Sequence, residues 1–145
     1  MKRIMQRVCA MGLALIFLAV SAGNALAASR ASYYLTKYTA DVSTGNSGVI
    51  EIKFSVGANR PVSELGASYI VLEESSDRGK TWHVAEEYED EDWMTTTGRM
   101  TYTGVVTYPG TIGYQYRVTA EVFARDENGG DSRTTPTSPA VTATK

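Results

Sequence analysis

The stretch YQYRVTAEV, residues 114–122, alternates without a break: Tyr114, Tyr116, Val118, Ala120 and Val122 fall on one face, Gln115, Arg117, Thr119 and Glu121 on the other. A period of two marks a strand with one face buried, because successive side chains of an extended backbone point to opposite sides. VIEIKFSV at 49–56 repeats it, with Ile50, Ile52, Phe54 and Val56 set against Glu51, Lys53 and Ser55. ASYIVLEES at 67–75 puts Ile70 and Leu72 on one face and Tyr69 and Val71 on the other, as in a strand covered on both sides. Further strands are expected in SYYLTKYTADVS (32–43), KTWHVAEEY (80–88), MTYTGVVT (100–107) and SPAVTAT (138–144), giving about seven. Between them TGNSG, GANRPVSELG, SDRG, YPGTIG and ENGGDS read as turns or loops, rich in residues that tolerate turn geometry. No apolar repeat of 3.6 residues runs long enough for a sizeable helix. The expected fold is therefore all-β, two antiparallel sheets packed face to face, with a small barrel as the competing closure.

The segment YPGTIGYQYRVTAEVFARDENGGDS, residues 108–132, resembles the last two strands of a fibronectin type III domain, where a Pro-Gly-Thr turn feeds a Tyr-x-Tyr-x-Val-x-Ala strand and a Gly-rich hairpin. The resemblance implies an immunoglobulin-like sandwich. It also implies that Tyr114 is the corner tyrosine, its hydroxyl bonded to backbone of the loop before its strand. The chain as a whole is similar to small secreted proteins of Gram-positive gut bacteria, which implies export and no activity.

The N-terminus agrees with export. MKRIMQR carries Lys2, Arg3 and Arg7 and no acid, residues 8–20 are apolar, and SAGNALA places Ala25 and Ala27 at the small-residue positions of a cleavage site. The apolar run is shorter than the ~20 residues a membrane span needs. A signal peptide is thus expected at 1–27, and a single sandwich domain at 28–145. The only cysteine, Cys9, lies in that leader, which leaves no disulfide, thiolate nucleophile or thiolate metal ligand after cleavage. All 16 acidic residues follow the leader, whereas three of the 14 basic ones are inside it, so the exported part is more acidic than the whole-chain net charge of -2. Such a surface repels phosphate backbones, and no basic patch with interleaved aromatics offsets this, so nucleic acid is not an expected partner.

SSDRGKTW, residues 75–82, matches the Asp-box pattern S-x-D-x-G-x-T-W of sialidase propeller blades, where the motif builds a hairpin turn. One copy cannot make a propeller. The roles expected here are structural: Asp77 accepts turn N–H groups, Gly79 takes a positive φ, and Trp82 covers the turn.

Catalysis has little support. His83 is the sole histidine, next to Trp82 on an expected strand, and no serine sits on a nucleophile elbow. The acidic run Glu86, Glu87, Glu89, Asp90, Glu91 and Asp92, and the loop donors Asp126, Glu127, Asn128 and Asp131, have the oxygen chemistry that calcium selects. The run lacks the Gly and Asn spacing of a calcium loop, and the glycines of the second are explained by a hairpin, so no cofactor or metal is expected. Nine tyrosines and two tryptophans favour binding instead, through stacking on sugar rings or anchoring a protein. Trp93 and Tyr88 are the candidate ligand-binding residues, because they interrupt an acidic segment. The expected function is a secreted, non-enzymatic recognition or adhesion module for a glycan or cell-surface protein. The alternative is a stand-alone structural or accessory domain.

Overall fold

The computed structural model describes residues 34–145. The expected leader at 1–27, its cut after Ala27, and Tyr33 lie outside the described residues. The strands are β1 (Leu35–Thr44), β2 (Val49–Val62), β3 (Glu64–Ser75), β4 (His83–Glu89), β5 (Thr95–Thr96), β6 (Arg99–Pro109), β7 (Gln115–Asp126), β8 (Gly129–Thr134) and β9 (Val141–Thr142). Single 3-10 turns sit at Asn46–Gly48 and Asp92–Met94. One sheet has the order β1-β2-β6. The larger has the order β4-β3-β7-β8, with β5 added to β3 and β9 to β7. Every pairing is antiparallel. The described residues form an all-β sandwich: β1, β2, β3, β4, β6 and β7 are strands that were expected, whereas β8 runs through the ENGGDS stretch read as a loop, and the strand expected in SPAVTAT is reduced to the two-residue β9.

The alternation that announces the strands also builds the core. Ile50, Ile52, Phe54 and Val56 of β2 meet Tyr116, Val118, Ala120, Val122 and Ala124 of β7 and Leu65, Ile70 and Leu72 of β3, all nearly inaccessible to solvent. Burying one such aliphatic or aromatic side chain is worth about 1.5–3 kcal/mol, so this inter-sheet layer is the main source of stability.

Other expectations change too. GANRPVSELG is not a loop: β2 continues to Val62 and β3 starts at Glu64, because Ala58, Val62 and Leu65 reach back into the core. The price in regularity is a break in the β2–β6 register between Gly57 and Val62. In β3 the buried side chains are Leu65 and Ala67, then Ile70 and Leu72, so the inward parity flips. The register with β7 shifts at the same place, between Ala67 and Tyr69, which makes Ser68 the extra residue of a bulge.

The strand after β8 is interrupted by Pro136 and Pro139, yet the edge of β7 stays satisfied. Thr135 and Ser138 donate their N–H groups to the carbonyls of Ala120 and Val118, and their hydroxyl oxygens accept the N–H groups of those same residues. Both side chains are buried for that reason.

Candidate functional site

At one end of the larger sheet the hairpin from β3 to β4 is held by Asp77. Its Oδ1 accepts the backbone N–H groups of Lys80 at 3.0 Å and Thr81 at 2.9 Å and the hydroxyl of Ser75 at 2.7 Å, while Oδ2 accepts the Thr81 hydroxyl at 2.6 Å. Ser75 Oγ in turn accepts the N–H of Gly79. Arg78 and Gly79 both have positive φ, 63° and 82°; glycine takes this freely, and the bonding around it offsets the strain at Arg78. The Thr81 hydroxyl and N–H lead the bonds that hold the Asp77 carboxyl down at about 2. Trp82 lies against the turn: a side chain at Gly79 would stand 3.5 Å from its ring. Arg117 stacks over the Trp82 ring at 4.2 Å and is fixed by a two-pronged bond to Glu73.

Tyr116, not Tyr114, makes the bond to the loop before its strand. The Tyr116 hydroxyl accepts the N–H of Thr111 at 2.8 Å and donates to Glu74 at 3.1 Å. Tyr114 is half-buried and engages through its backbone, its N–H to Thr111 and its carbonyl to the N–H of Ala143. The turn containing Gly113 at φ 89° delays the strand, so the second tyrosine arrives where the first was expected.

Trp93 and Tyr88 form no open platform. Their rings meet edge to face at 5.6 Å, and Trp93 also packs on Phe54 at 6.2 Å. Tyr102 completes the group, edge-on to Phe54 at 5.8 Å and with its hydroxyl donated to the Trp93 carbonyl. These aromatics close the gap between β4 and β6, where the two sheets part, and burial raises the Tyr88 phenol above its ordinary value.

The other end of the larger sheet is open. On its outer face β3, β5, β7 and β8 surround a cleft of about 570 Å3. Its lining includes the small residues Ala67, Gly129 and Gly130, the last opposite Arg125. Beside the cleft, Gly66 can be nothing else, since a Cβ there would run into the Met94 carbonyl of the crossing segment. The Ser68 bulge puts a hydroxyl at the rim. Phe123 supplies an apolar wall, with the Arg125 guanidinium 4.9 Å from its ring centre.

Carboxylates dominate the lining: Glu64, Asp90, Glu121, Asp126 and Asp131 against Arg125. Glu64 is paired with Arg125 at 2.7 Å. Asp126 is held below its ordinary carboxyl value, chiefly by the N–H of Asn128 and then by Arg60 and the Tyr34 hydroxyl. Asp131 accepts the N–H of Tyr34. Asp126 and Asp131, expected as loop oxygens, thus anchor the start of β1. Glu121 and Asp90 have no ion-pair partner among the described residues.

Among the described residues no three acidic or imidazole side chains gather as metal ligands. The acidic run is strung along β4 and the turn after it, and His83 is exposed on β4, outside the cleft lining. Sequence reading did not single out Ser68, Phe123 or Glu121. The signal was there in the parity flip from Leu65 and Ala67 to Ile70 and Leu72 and in the glycines at 66, 129 and 130.

Compared with protein-family models and with curated proteins, the chain matches none. Fold and site define an antiparallel all-β sandwich with an acidic, aromatic-walled cleft on the outer face of its larger sheet.

Proposed function

We propose that this protein is a secreted, non-enzymatic recognition module of the immunoglobulin or fibronectin type III kind, and that the cleft takes a glycan. The observation that carries the reading is the cleft itself, whose volume falls within the roughly 300–1,000 Å3 of small-molecule sites and whose walls are rigid strands. Glu121, Asp90 and Ser68 offer acceptors for sugar hydroxyls, and Phe123 an apolar surface for a ring's C–H groups. The excess of carboxylates selects neutral or amino-bearing sugars over sialylated or sulfated ones, because unscreened like charges repel. The type III reading is supported by the strand order β1-β2-β6 facing β4-β3-β7-β8 and by the Tyr116 hydroxyl bonded back to its preceding loop.

The test is binding of the purified protein to a panel of neutral, amino-bearing and acidic glycans, with calcium and again with chelator. A neutral or amino-bearing hit, weakened at least about tenfold by Glu121→Gln and by Phe123→Ala, supports the reading. A blank panel favours the accessory-domain alternative, which the inward packing of Trp93 and Tyr88 already supports.

A further inference from the structure

Among the described residues the sandwich has four strand edges, and three of them carry devices that discourage pairing. β1 has Lys37 and Asp41 and a register break between Leu35 and Lys37. β4 presents Glu86, Glu87 and Glu89, and its register against β3 breaks between Leu72 and Glu73. The edge continuing from β8 is broken by Pro136 and Pro139. Charges, bulges and prolines are the usual means by which a sheet edge is kept from recruiting another strand.

β6 has none of these between Thr101 and Tyr108; its one charge, Arg99, and its register break against β2 both lie at its start. Residues 100–116 contain no charged side chain, the longest such run after the leader, and Pro109 comes only at the strand's last position. The direction of its free backbone groups follows from the ladder. Gly110 donates its N–H to the Gly48 carbonyl, and the β2–β6 register continues from Val49↔Pro109 to Gly57↔Thr101 without interruption. Hydrogen-bonded pairs recur every second residue in an antiparallel ladder. Tyr102, Gly104, Val106 and Tyr108 therefore bond to β2, and the N–H and C=O groups of Thr101, Thr103, Val105 and Thr107 point outward. None of these four has a backbone partner on that side among the described residues. Val105 adds an exposed apolar side chain, 48% accessible, on the solvent face.

We propose that β6 is the edge by which two copies of this chain join, antiparallel about a two-fold axis, into one continuous sheet. The occupant is a second copy because the strip is self-complementary. Pairing β6 with itself opposes threonine and valine to threonine, and brings no charge against its like. On a chain with 16 acidic residues, this is where two copies approach with least repulsion. Two-fold pairing consumes the open edge of both copies, so it closes at a dimer and does not propagate.

Sedimentation equilibrium of the purified protein tests this, alongside three variants. Val105→Lys sets like charges across the junction. Val105→Pro removes an N–H that points outward and leaves every bond to β2 in place, so it separates edge pairing from folding. Val84→Lys alters an equally exposed position, 57% accessible, on β4. The expected result is a dimer for the natural protein and Val84→Lys. For both Val105 variants the dissociation constant rises more than about tenfold, with the cooperative melt retained. A natural protein that stays monomeric at every concentration overturns the proposal and leaves β6 to an extended strand from a different protein. A dimer that persists in both Val105 variants overturns it as well.

Discussion

The two ends of the larger sheet both present carboxylates, and they use them in opposite ways. At the Asp77 turn both carboxylate oxygens are spent on donors within four residues in sequence, and the result is a closed, self-sufficient hairpin. At the cleft, Asp126 and Asp131 tie down β1 from across the sandwich, while Glu121 and Asp90 remain turned to solvent with no ion-pair partner among the described residues. A carboxylate whose bonds are met locally stabilises structure. One left open beside a hollow in a rigid sheet is available to a ligand.

The sharpest way to break this contrast is at Gly66, on β3 opposite the cleft residues Thr95 and Phe123. Gly66→Ala forces a methyl against backbone at Met94 and Thr95, which cannot swing aside as a side chain can. It is expected to cost about 2–3 kcal/mol in denaturant melts, as overpacking does, by forcing β3 away from the Met94–Thr95 backbone. Asp77→Ala comes next: the turn loses its acceptors while Arg78 remains at positive φ, and Tm is expected to fall by roughly 5 °C with the cleft's binding intact. An unchanged melting point would sink the structural account of this residue.

Acid sharpens the same point. The folded-state value of Asp77, about 2, lies below the ordinary 3.8, so its contribution to stability is full above 3.8 and is lost as pH falls through about 2. Between pH 4 and 2 the natural protein should therefore lose more stability than Asp77→Asn, a difference that thermal melts in matched buffers would read. The smallest expected effect is Glu121→Gln, a change on the exposed cleft wall. Its Tm should stay within about 0.5 kcal/mol equivalent of the natural protein, so that any loss of binding reports on the site alone.

Much of this was legible in the residues. The Asp77 turn could be read directly because its donors and acceptors all fall between Ser75 and Trp82, and a local motif needs no knowledge of the rest of the chain. Tyr114 was misplaced by two residues because the length of a turn, not the strand pattern, decides which tyrosine reaches the loop backbone. Trp93 and Tyr88 suggested an exposed platform on account of their acidic neighbours. The chain's crossing from the larger sheet to β6 folds Trp93 onto Phe54 instead, with Tyr88 edge-on to Trp93.

By itself the sequence determined most of the long strands, the buried faces of β2 and β7, the all-β class and the hairpin at Asp77, since each depends on period-two alternation or on bonds spanning a few residues. Only the tertiary structure decided where the cleft lies, which carboxylates are already occupied, and which sheet edge stays open. Those depend on pairings between residues far apart in sequence, such as Gly66 with Phe123 and Tyr34 with Asp126, whose registers are set by the packing of the two sheets as a whole.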